Sequence, residues 1–242
     1  MYKLSLAHLY PKLLNICCDT GNIITLKNRC EWRNIEFSLT EINADDKINP
    51  DNFDFYFISG GKDLQQAIAA QEIQKQKDVL KTASEKNSVF LAINGGYQLL
   101  GEHYQFQNGE NILGAGLLDC YTIVGEKRFT GNVTAKTDFL TPQTLAGFEN
   151  HNGLTYLKNG TEPLATVEIG NGNNGEDKTE GARKNNIFGT YIQGSMLAEN
   201  VHFADYLIKL ALEAKYNDKI ELTPLDDETE NTAHNIIVGK AY

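Results

Sequence analysis

The sequence predicts one α/β domain with a mostly parallel sheet covered by helices, and three observations support this. Short β-branched or aromatic runs alternate with helical segments through about the first hundred residues. Strand-like pieces then dominate from about Leu117 to Phe188, so we expect extra β structure in the middle of the chain. The 242 residues show no internal repeat and no linker, and we therefore expect a single domain over residues 1–242.

The clearest strand candidates are four apolar runs, at residues 4–7, 35–39, 53–58 and 89–93. Near-continuous apolar runs of this length are typical of parallel strands that are buried on both faces. Glycine- and asparagine-rich residues 170–175 predict a turn or loop. That stretch lacks the glycine spacing of phosphate-binding loops, which argues against a nucleotide site.

Two segments have the apolar spacing of helices. The first has Asp63 as its predicted cap and carries apolar residues from Leu64 to Ala83, with one face left to solvent. The second is predicted near residues 202–216, where the apolar residues form one stripe. Alternation of such helices with the strands is the pattern of a sheet covered on both faces.

Composition limits the classes of partner. Apolar residues make up 41% and charged residues 22%, and the formal net charge of −10 is spread along the chain. This balance argues against nucleic acid or an anionic membrane surface as the main partner. The acidic run at residues 226–228 is expected to be a solvated face. No signal-like N-terminus or long apolar stretch is seen, so we expect a cytoplasmic protein without membrane insertion.

The four cysteines, Cys17, Cys18, Cys30 and Cys120, have no CxxC spacing and no histidine arranged beside them. In a reducing compartment such residues are most simply buried, small apolar side chains. We therefore predict no metal site and no cofactor.

Residues 89–101 carry the chemical information in the sequence. A buried strand runs into Asn94, two glycines and an apolar helical start, which predicts a sharp strand-to-helix elbow. The apex of such an elbow has a strained backbone and projects its side chain above the sheet. Ala92, Gly95 and Gly96 are small because the two elements pass closely, and backbone N–H groups after the apex can form an oxyanion hole.

Asn94 occupies this predicted apex, where a nucleophile normally stands. Asparagine tolerates left-handed backbone angles, so the fold should survive. Its amide nitrogen is not a usable nucleophile because the lone pair is delocalised into the carbonyl. The alternative is a plain hairpin turn, which Asn-Gly-Gly also favours. Residues 97–100 have a helical pattern, and this favours the elbow.

Residues 93–101, Ile-Asn-Gly-Gly-Tyr-Gln-Leu-Leu-Gly, resemble the elbow of the cobyric-acid-synthase-like class I glutamine amidotransferases, in which the apex is cysteine. Further segments appear in the family's order and cover nearly the whole chain. They are residues 8–10, 19–23, 58–63, 128–131, 147–151, 170–174 and 189–194. The resemblance implies the flavodoxin-like α/β fold of that family.

The resemblance also implies that both catalytic positions are replaced. Asn94 stands where the family has its nucleophile, and Gln193 stands where the family has its catalytic histidine. Glutamine cannot take a proton from a thiol near neutral pH, as histidine can. We therefore expect the chain to be unable to hydrolyse glutamine.

Substrate-binding positions match the family better. Arg128 fits the position whose guanidinium grips the α-carboxylate of glutamine, a bidentate task suited to arginine. Gly60 and Gly61 match the loop that supplies an oxyanion-hole amide. Gly95 and Gln98, which follow the apex, belong to the same predicted substrate-binding set.

A relocated cysteine–histidine pair is not expected. Cys17 and Cys18 precede a turn at residues 19–22, far from the elbow in sequence, and Cys120 falls in a strand-like run. His151 is predicted in a loop or at a strand end, without a paired nucleophile. Rescue of catalysis would require new geometry around an intact oxyanion hole.

The family likeness is strongest to glutaminase subunits that serve amidation of lipid II stem peptides beside a Mur-ligase-like synthetase. It implies a heterodimer in which this chain is a pseudo-glutaminase that acts as partner or scaffold. Two alternatives stay open: an active glutaminase with a non-standard site, and a glutamine-binding sensor. The replacements at the apex and base positions are compatible with a natural pseudoenzyme, with a variant made to hold glutamine, or with different chemistry.

Overall fold

The computed structural model describes residues 1–15 and 19–240, which form thirteen strands and seven α-helices. The strands are β1 (Lys3–Leu9), β2 (Glu36–Ile42), β3 (Phe55–Ile58), β4 (Val89–Ile93), β5 (His103–Gln105), β6 (Asn111–Leu113), β7 (Cys120–Lys136), β8 (Thr144–Leu157), β9 (Ala165–Ile169), β10 (Thr179–Glu180), β11 (Ala182–Lys184), β12 (Ile187–Thr190) and β13 (Ile192–Gln193). The helices are α1 (Thr20–Glu31), α2 (Asp63–Lys75), α3 (Lys77–Glu85), α4 (Gly95–Leu100), α5 (Met196–Glu199), α6 (Val201–Tyr216) and α7 (Glu228–Lys240).

Two sheets organise these elements. In the described part of the chain the first sheet has the strand order β11-β12-β4-β3-β1-β2, in which β11 is antiparallel to β12 and the other neighbours are parallel. The second sheet has the order β10-β9-β7-β5-β6, with β8 joining β7 to β13. The four predicted strands lie in the first sheet, and the predicted β structure of the middle of the chain forms the second.

Helices cover both faces of the first sheet. Neighbouring residues of β3 and β4 alternate between two apolar clusters, so that Phe57 belongs to one and Tyr56 to the other. The first cluster adds side chains from α1 and α6 and from the second sheet, and the second adds side chains from α2, α3 and α4. Strands buried on both faces explain the continuous apolar runs in the sequence.

The first predicted helix is wrong in detail. It is two helices, α2 and α3, which are separated at Gln76. Asp63 is the first residue of α2 and not its cap, since Lys62 holds the cap position. Leu64 is 70% exposed, because α2 is rotated so that Ala70 and Ile73 pack against the core. The second predicted helix is confirmed as α6.

Arg29 of α1 is the centre of a buried ion-pair network. Its guanidinium donates to both carboxylate oxygens of Asp205 and to both of Asp227, at 2.6 to 2.8 Å. Arg33 adds two further hydrogen bonds to Asp205. The hydrogen bonds from Arg29 lower the pKa of Asp227. The expectation of a fully solvated acidic run was therefore wrong for Asp227, because that carboxylate neutralises an arginine with 1% exposure.

Cys30 and Cys120 are free and buried, as expected, and burial raises the pKa of each thiol to about 12. Cys17 and Cys18 lie outside the described residues. Over residues 1–15 and 19–240, no three His, Cys, Asp or Glu side chains are grouped to hold a metal ion. None of the helices described in the structure is long and apolar enough to cross a bilayer.

We expect the substitution Arg29→Ala to lower the free energy of unfolding by about 3–5 kcal/mol, because it leaves the partly buried Asp227 without its guanidinium partner and leaves Asp205 with Arg33 alone. Urea unfolding at neutral pH measures this change. Lys27→Ala on the same helix is the matched control. Lys27 is exposed, and its Nζ lies 3.8 Å from Oε1 of Glu31. Loss of this surface pair should lower the free energy of unfolding by less than about 0.5 kcal/mol. Equal effects of the two substitutions would contradict a stabilising role for the buried network.

Candidate functional site

The elbow predicted at Asn94 is present. Strand β4 ends at Ile93, Asn94 has φ 53° and ψ −115°, and α4 begins at Gly95. The Asn94 N–H donates to the Thr190 carbonyl at 2.9 Å, which ties the apex to the neighbouring strand β12. Because a helix follows the turn, the hairpin alternative is excluded.

Close approach of two backbones fixes this elbow. A Cβ atom on Gly60 would lie 3.1 Å from the nitrogen of Gly95 and 3.3 Å from Cβ of Asn94. A Cβ atom on Gly95 would lie 2.5 Å from Oε1 of Gln66. The loop after β3 and the start of α4 therefore meet at distances that favour glycine on both sides.

The two predicted catalytic positions lie together, although 99 residues separate them in sequence. Nδ2 of Asn94 donates a hydrogen bond to Oε1 of Gln193 at 3.0 Å. Gln193 is 6% exposed and lies on β13, which pairs with β8. Neither side-chain amide titrates near neutral pH, so this pair cannot supply a thiolate or a general base.

A cavity of about 620 Å³ opens beside the apex. Of the predicted site residues, Asn94, Gln98, Arg128 and Gly61 line it. Gly60, Gly95 and Gln193 are not part of its lining. The wall is also built by residues that are not among the predicted site residues. These include Lys62, Asp63, Gln66, Tyr104, Asn150, His151 and Asn152.

Arg128 is exposed on β7 and reaches the cavity with its guanidinium. Its Nη1 donates to Oδ1 of Asn150 at 2.9 Å. A guanidinium carries five N–H donors, so further donors remain for a ligand carboxylate. Lys62 and Asp63 line the same cavity. A cavity with charges of both signs suits a zwitterionic amino acid.

Gln98 lines the cavity and also makes hydrogen bonds within its wall. Its side chain is 6% exposed, accepts a hydrogen bond from Nε2 of Gln66 at 2.7 Å, and donates to Oη of Tyr191 at 3.2 Å. Tyr191 also bonds Thr155 and stacks on His151, with ring centroids 3.6 Å apart. The amide of Gln98 is therefore used to hold the cavity wall together.

Asp19 is a positioning residue that the sequence analysis missed. Its buried carboxylate accepts hydrogen bonds from Oγ of Ser59 and from the N–H of Gly194, the latter at 2.9 Å. Asn22 donates to the carbonyl of Gly194 at 2.7 Å. The start of α1 therefore fixes both the end of β3 and the segment that carries Gln193. The Asp-Thr-Gly-Asn segment at residues 19–22 could have drawn attention to Asp19, but nothing in it indicates which residues the Asp19 carboxylate binds.

Glu180 is a second missed residue in the same region. Its Oε1 accepts hydrogen bonds from Oγ1 of Thr190 at 2.9 Å and from the N–H of Tyr191 at 2.8 Å. Its Oε2 is buried without a partner. Burial raises the pKa of Glu180 to about 7, against the effect of these hydrogen bonds. The carboxyl group thus braces the residues that lead into β13.

Neither of the two cysteines in the described part, Cys30 and Cys120, lines the cavity. His151 does line it, from within β8 and not from a loop. Its Nδ1 lies 2.8 Å from the carbonyl of Gly153, so the ring is held by the strand. The described residues therefore offer a histidine at the cavity but no thiol beside it.

We expect Asp19 to make stability depend on pH. Burial raises its pKa to about 6, although hydrogen bonds from Ser59, Gly194 and Gly60 favour the carboxylate. An unfolded aspartate titrates near 3.9, so the native chain binds more protons between about pH 4 and pH 6. The resulting stabilisation is present below about pH 4 and is lost as the pH rises through about 6. Asp19→Asn should remove this dependence, which amounts to at most about 3 kcal/mol.

Urea unfolding between pH 4.5 and 7.5 tests this expectation. The exposed Asp46, replaced by asparagine, is the matched control and should leave the pH profile parallel to that of the unaltered chain. A parallel profile for the Asp19 variant as well would contradict the assigned shift.

The comparisons with known proteins agree with this geometry. The CobB/CobQ-like glutamine amidotransferase domain family matches residues 5–201. The chain is 41% identical to the lipid II isoglutaminyl synthase (glutamine-hydrolyzing) subunit GatD of Staphylococcus aureus, over 100% of this chain and 97% of that protein. It is 36% identical to the GatD subunit of Streptococcus pneumoniae, over 93% of this chain and 87% of that protein.

A solved structure supports the fold at low sequence identity. The chain resembles the crystal structure of a glutamine amidotransferase from Thermotoga maritima, with a TM-score of 0.56 and 13% identity, over 99% of this chain and 95% of that one. The predicted class I amidotransferase fold is therefore confirmed. From the matched region and the two full-length likenesses we conclude that the chain belongs to the CobB/CobQ-like glutamine amidotransferase family.

Proposed function

We propose that this chain is the glutaminase-like subunit of an enzyme that amidates lipid II, and that it does not itself hydrolyse glutamine. The observation that carries the proposal is the hydrogen bond between Asn94 and Gln193 at the elbow. Two amides stand where this chemistry needs a nucleophile and a base. The names of the two GatD relatives support the assignment to lipid II amidation.

Hydrolysis of glutamine in such a site requires attack by a thiolate on the side-chain amide carbon and a base that accepts the thiol proton. The amide of Asn94 cannot attack, since its lone pair is delocalised, and the amide of Gln193 cannot accept the proton near neutral pH. In our proposal the binding parts are retained. Gly61 and Arg128 line the cavity beside Asn94, and Gly60 packs against Asn94 and Gly95.

We further propose that the partner is a Mur-ligase-like synthetase. Such an enzyme activates a stem-peptide carboxylate with ATP and receives ammonia. A subunit without glutaminase activity stabilises this partner and leaves it to use free ammonia or another nitrogen donor. This assembly is a cytoplasmic heterodimer in our proposal.

We treat residues 1–242 as one domain in this proposal. The family match ends at residue 201, but the rest of the chain packs back onto the matched part. Asp227 pairs with Arg29, and His234 bonds Oγ1 of Thr144 and the carbonyl of Glu199. These contacts support a C-terminal extension of the same domain.

A glutamine-binding sensor is the second candidate. The cavity beside Asn94 keeps Arg128, Lys62 and Asp63 on its wall, which suits a free amino acid. An active glutaminase with a non-standard site has less support, because neither Cys30 nor Cys120 reaches the cavity. Binding of glutamine without a synthetase partner would favour the sensor.

We expect the double variant Asn94→Cys with Gln193→His to gain glutaminase activity. The elbow is present, and Gly60, Gly61 and Arg128 lie beside it or line its cavity, so in our proposal the two side chains complete the missing pair. Because such residues act as a unit, each single variant should stay near background, and the double variant should exceed them on the order of 10³-fold. Release of glutamate from glutamine is the measurement.

The matched control is Asn94→Ser with Gln193→His, which has a similar apex volume without a thiol. It should remain near background. A double cysteine–histidine variant that folds, binds glutamine and shows no turnover would contradict the proposal.

We also expect the unaltered chain to bind glutamine through Arg128. Arg128→Gln removes a charge-assisted contact to the α-carboxylate and should weaken binding by about 10- to 100-fold. Calorimetric titration with glutamine measures the affinity. The exposed neighbour Lys127, replaced by glutamine, does not line the cavity and should bind as the unaltered chain does. Absence of binding by the unaltered chain, or equal affinities in both variants, would count against a retained glutamine site.

A further inference from the structure

Asn94 is followed by glycine, and this dipeptide has a chemistry of its own. The backbone nitrogen after an asparagine can attack the side-chain amide carbon and close a five-membered imide ring, and glycine hinders this attack least because it has no side chain. The sequence holds six Asn-Gly pairs. The other five asparagines are Asn108, Asn152, Asn159, Asn171 and Asn174.

The elbow holds Asn94 in the backbone angle that ring closure needs. In an L-residue, Cβ lies about 120° from the backbone nitrogen around the Cα–C bond. A ψ of −115° therefore places Cβ of Asn94 almost in eclipse with the nitrogen of Gly95. That arrangement makes four of the five ring atoms nearly coplanar. An unconstrained residue avoids it because the eclipse is sterically unfavourable.

The two reacting atoms, the nitrogen of Gly95 and Cγ of Asn94, both lie on the side of the elbow that faces Gly60. A Cβ atom built on Gly60 would lie 3.1 Å from the Gly95 nitrogen and 3.6 Å from Cγ of Asn94. Gly95 is the first residue of α4, where an N–H has no acceptor within its own helix. The leaving nitrogen, Nδ2 of Asn94, points to Oε1 of Gln193. Asn94 lines the open cavity, so water can reach its side-chain amide.

We propose that the Asn94–Gly95 bond is a site of self-modification in the folded chain. The Gly95 nitrogen gives its proton to hydroxide and forms a bond to Cγ of Asn94. The bond from Cγ to Nδ2 breaks, and this nitrogen takes a proton from water and leaves as ammonia. A water molecule then opens the imide at either carbonyl and gives aspartate or isoaspartate at position 94. No group is oxidised or reduced.

The modification changes the site in two ways. Aspartate places a negative charge beside Gln193, where the unmodified chain has a neutral amide. Isoaspartate adds a methylene group to the main chain at the point where β4 meets α4. Either product alters the elbow after synthesis, and position 94 releases at most one ammonia in each chain. The proposal does not depend on glutamine hydrolysis, because the nitrogen comes from the chain itself.

Asn152 provides the matched internal control. It lies within β8, beside the same cavity, and also precedes glycine. Extended strands have ψ near +135°, about 110° away from the ψ of Asn94. Asn108 lies in an exposed turn and reports the reactivity of a less constrained pair. Comparison within one sample removes differences in pH and temperature.

The experiment incubates the unaltered protein at pH 8 and 37 °C, in native buffer and in urea, in water enriched in ¹⁸O. Peptide mass analysis follows incorporation at each Asn-Gly pair, and methylation by an isoaspartate-specific methyltransferase identifies that product. We expect residue 94 to convert about tenfold faster than Asn152 in the native chain, and faster in the native chain than in urea, because the fold imposes the strained angle. Asn94→Gln should abolish the signal from that peptide.

The proposal is overturned if native residue 94 converts no faster than Asn152, or more slowly than it does in urea. Asn108 should show the ordinary pattern, with conversion in the native chain no faster than in the unfolded one. A separate readout keeps this test apart from the proposed function, since glutamate release is unaffected by ammonia that comes from Asn94.

Discussion

The backbone of Asn94, held at φ 53° between β4 and α4, is the constraint on which the site depends. A non-glycine residue in such a conformation costs on the order of 1–3 kcal/mol and persists only when its surroundings impose it. Here the Asn94 N–H is tied to Thr190, and Gly60 packs against the turn at distances that leave little room for a side chain. The geometry of the elbow is therefore a property of the sheet and its loops, and it does not require a cysteine at the apex.

We propose that Asn94 and Gln193 replace a catalytic pair, and the independence of the elbow from its apex side chain explains how both amides are accommodated. Gln193 is nearly buried, and a buried side-chain amide without a partner would be costly. Asn94 provides that partner through the hydrogen bond to Oε1. A glutamine beside a thiol would have a weaker partner, so each replacement makes the other easier to keep. The cavity and Arg128 do not depend on this pair of amides, so in our proposal glutamine binding persists without hydrolysis.

The sequence predicted those features that short-range patterns determine. The elbow follows from one strand, two glycines and a helical start, and the parallel strands follow from continuous apolar runs. Contacts between distant segments were not predictable. Asp227 pairs with Arg29 across 198 residues and Asp19 binds Gly194 across 175, and no local pattern indicates either partner. That Asn94 and Gln193 belong to one site was predicted from the family resemblance and not from hydrophobic periodicity.

We propose that this member of a glutamine amidotransferase family lacks glutamine hydrolysis of its own. The most direct measurement is release of glutamate from glutamine by the purified chain, alone and with its synthetase, beside a family member with cysteine at the apex. We predict release by the cysteine-containing member and none by this chain in either setting. Turnover above background by this chain would contradict the account and would direct attention to Cys17 and Cys18, which lie outside the described residues.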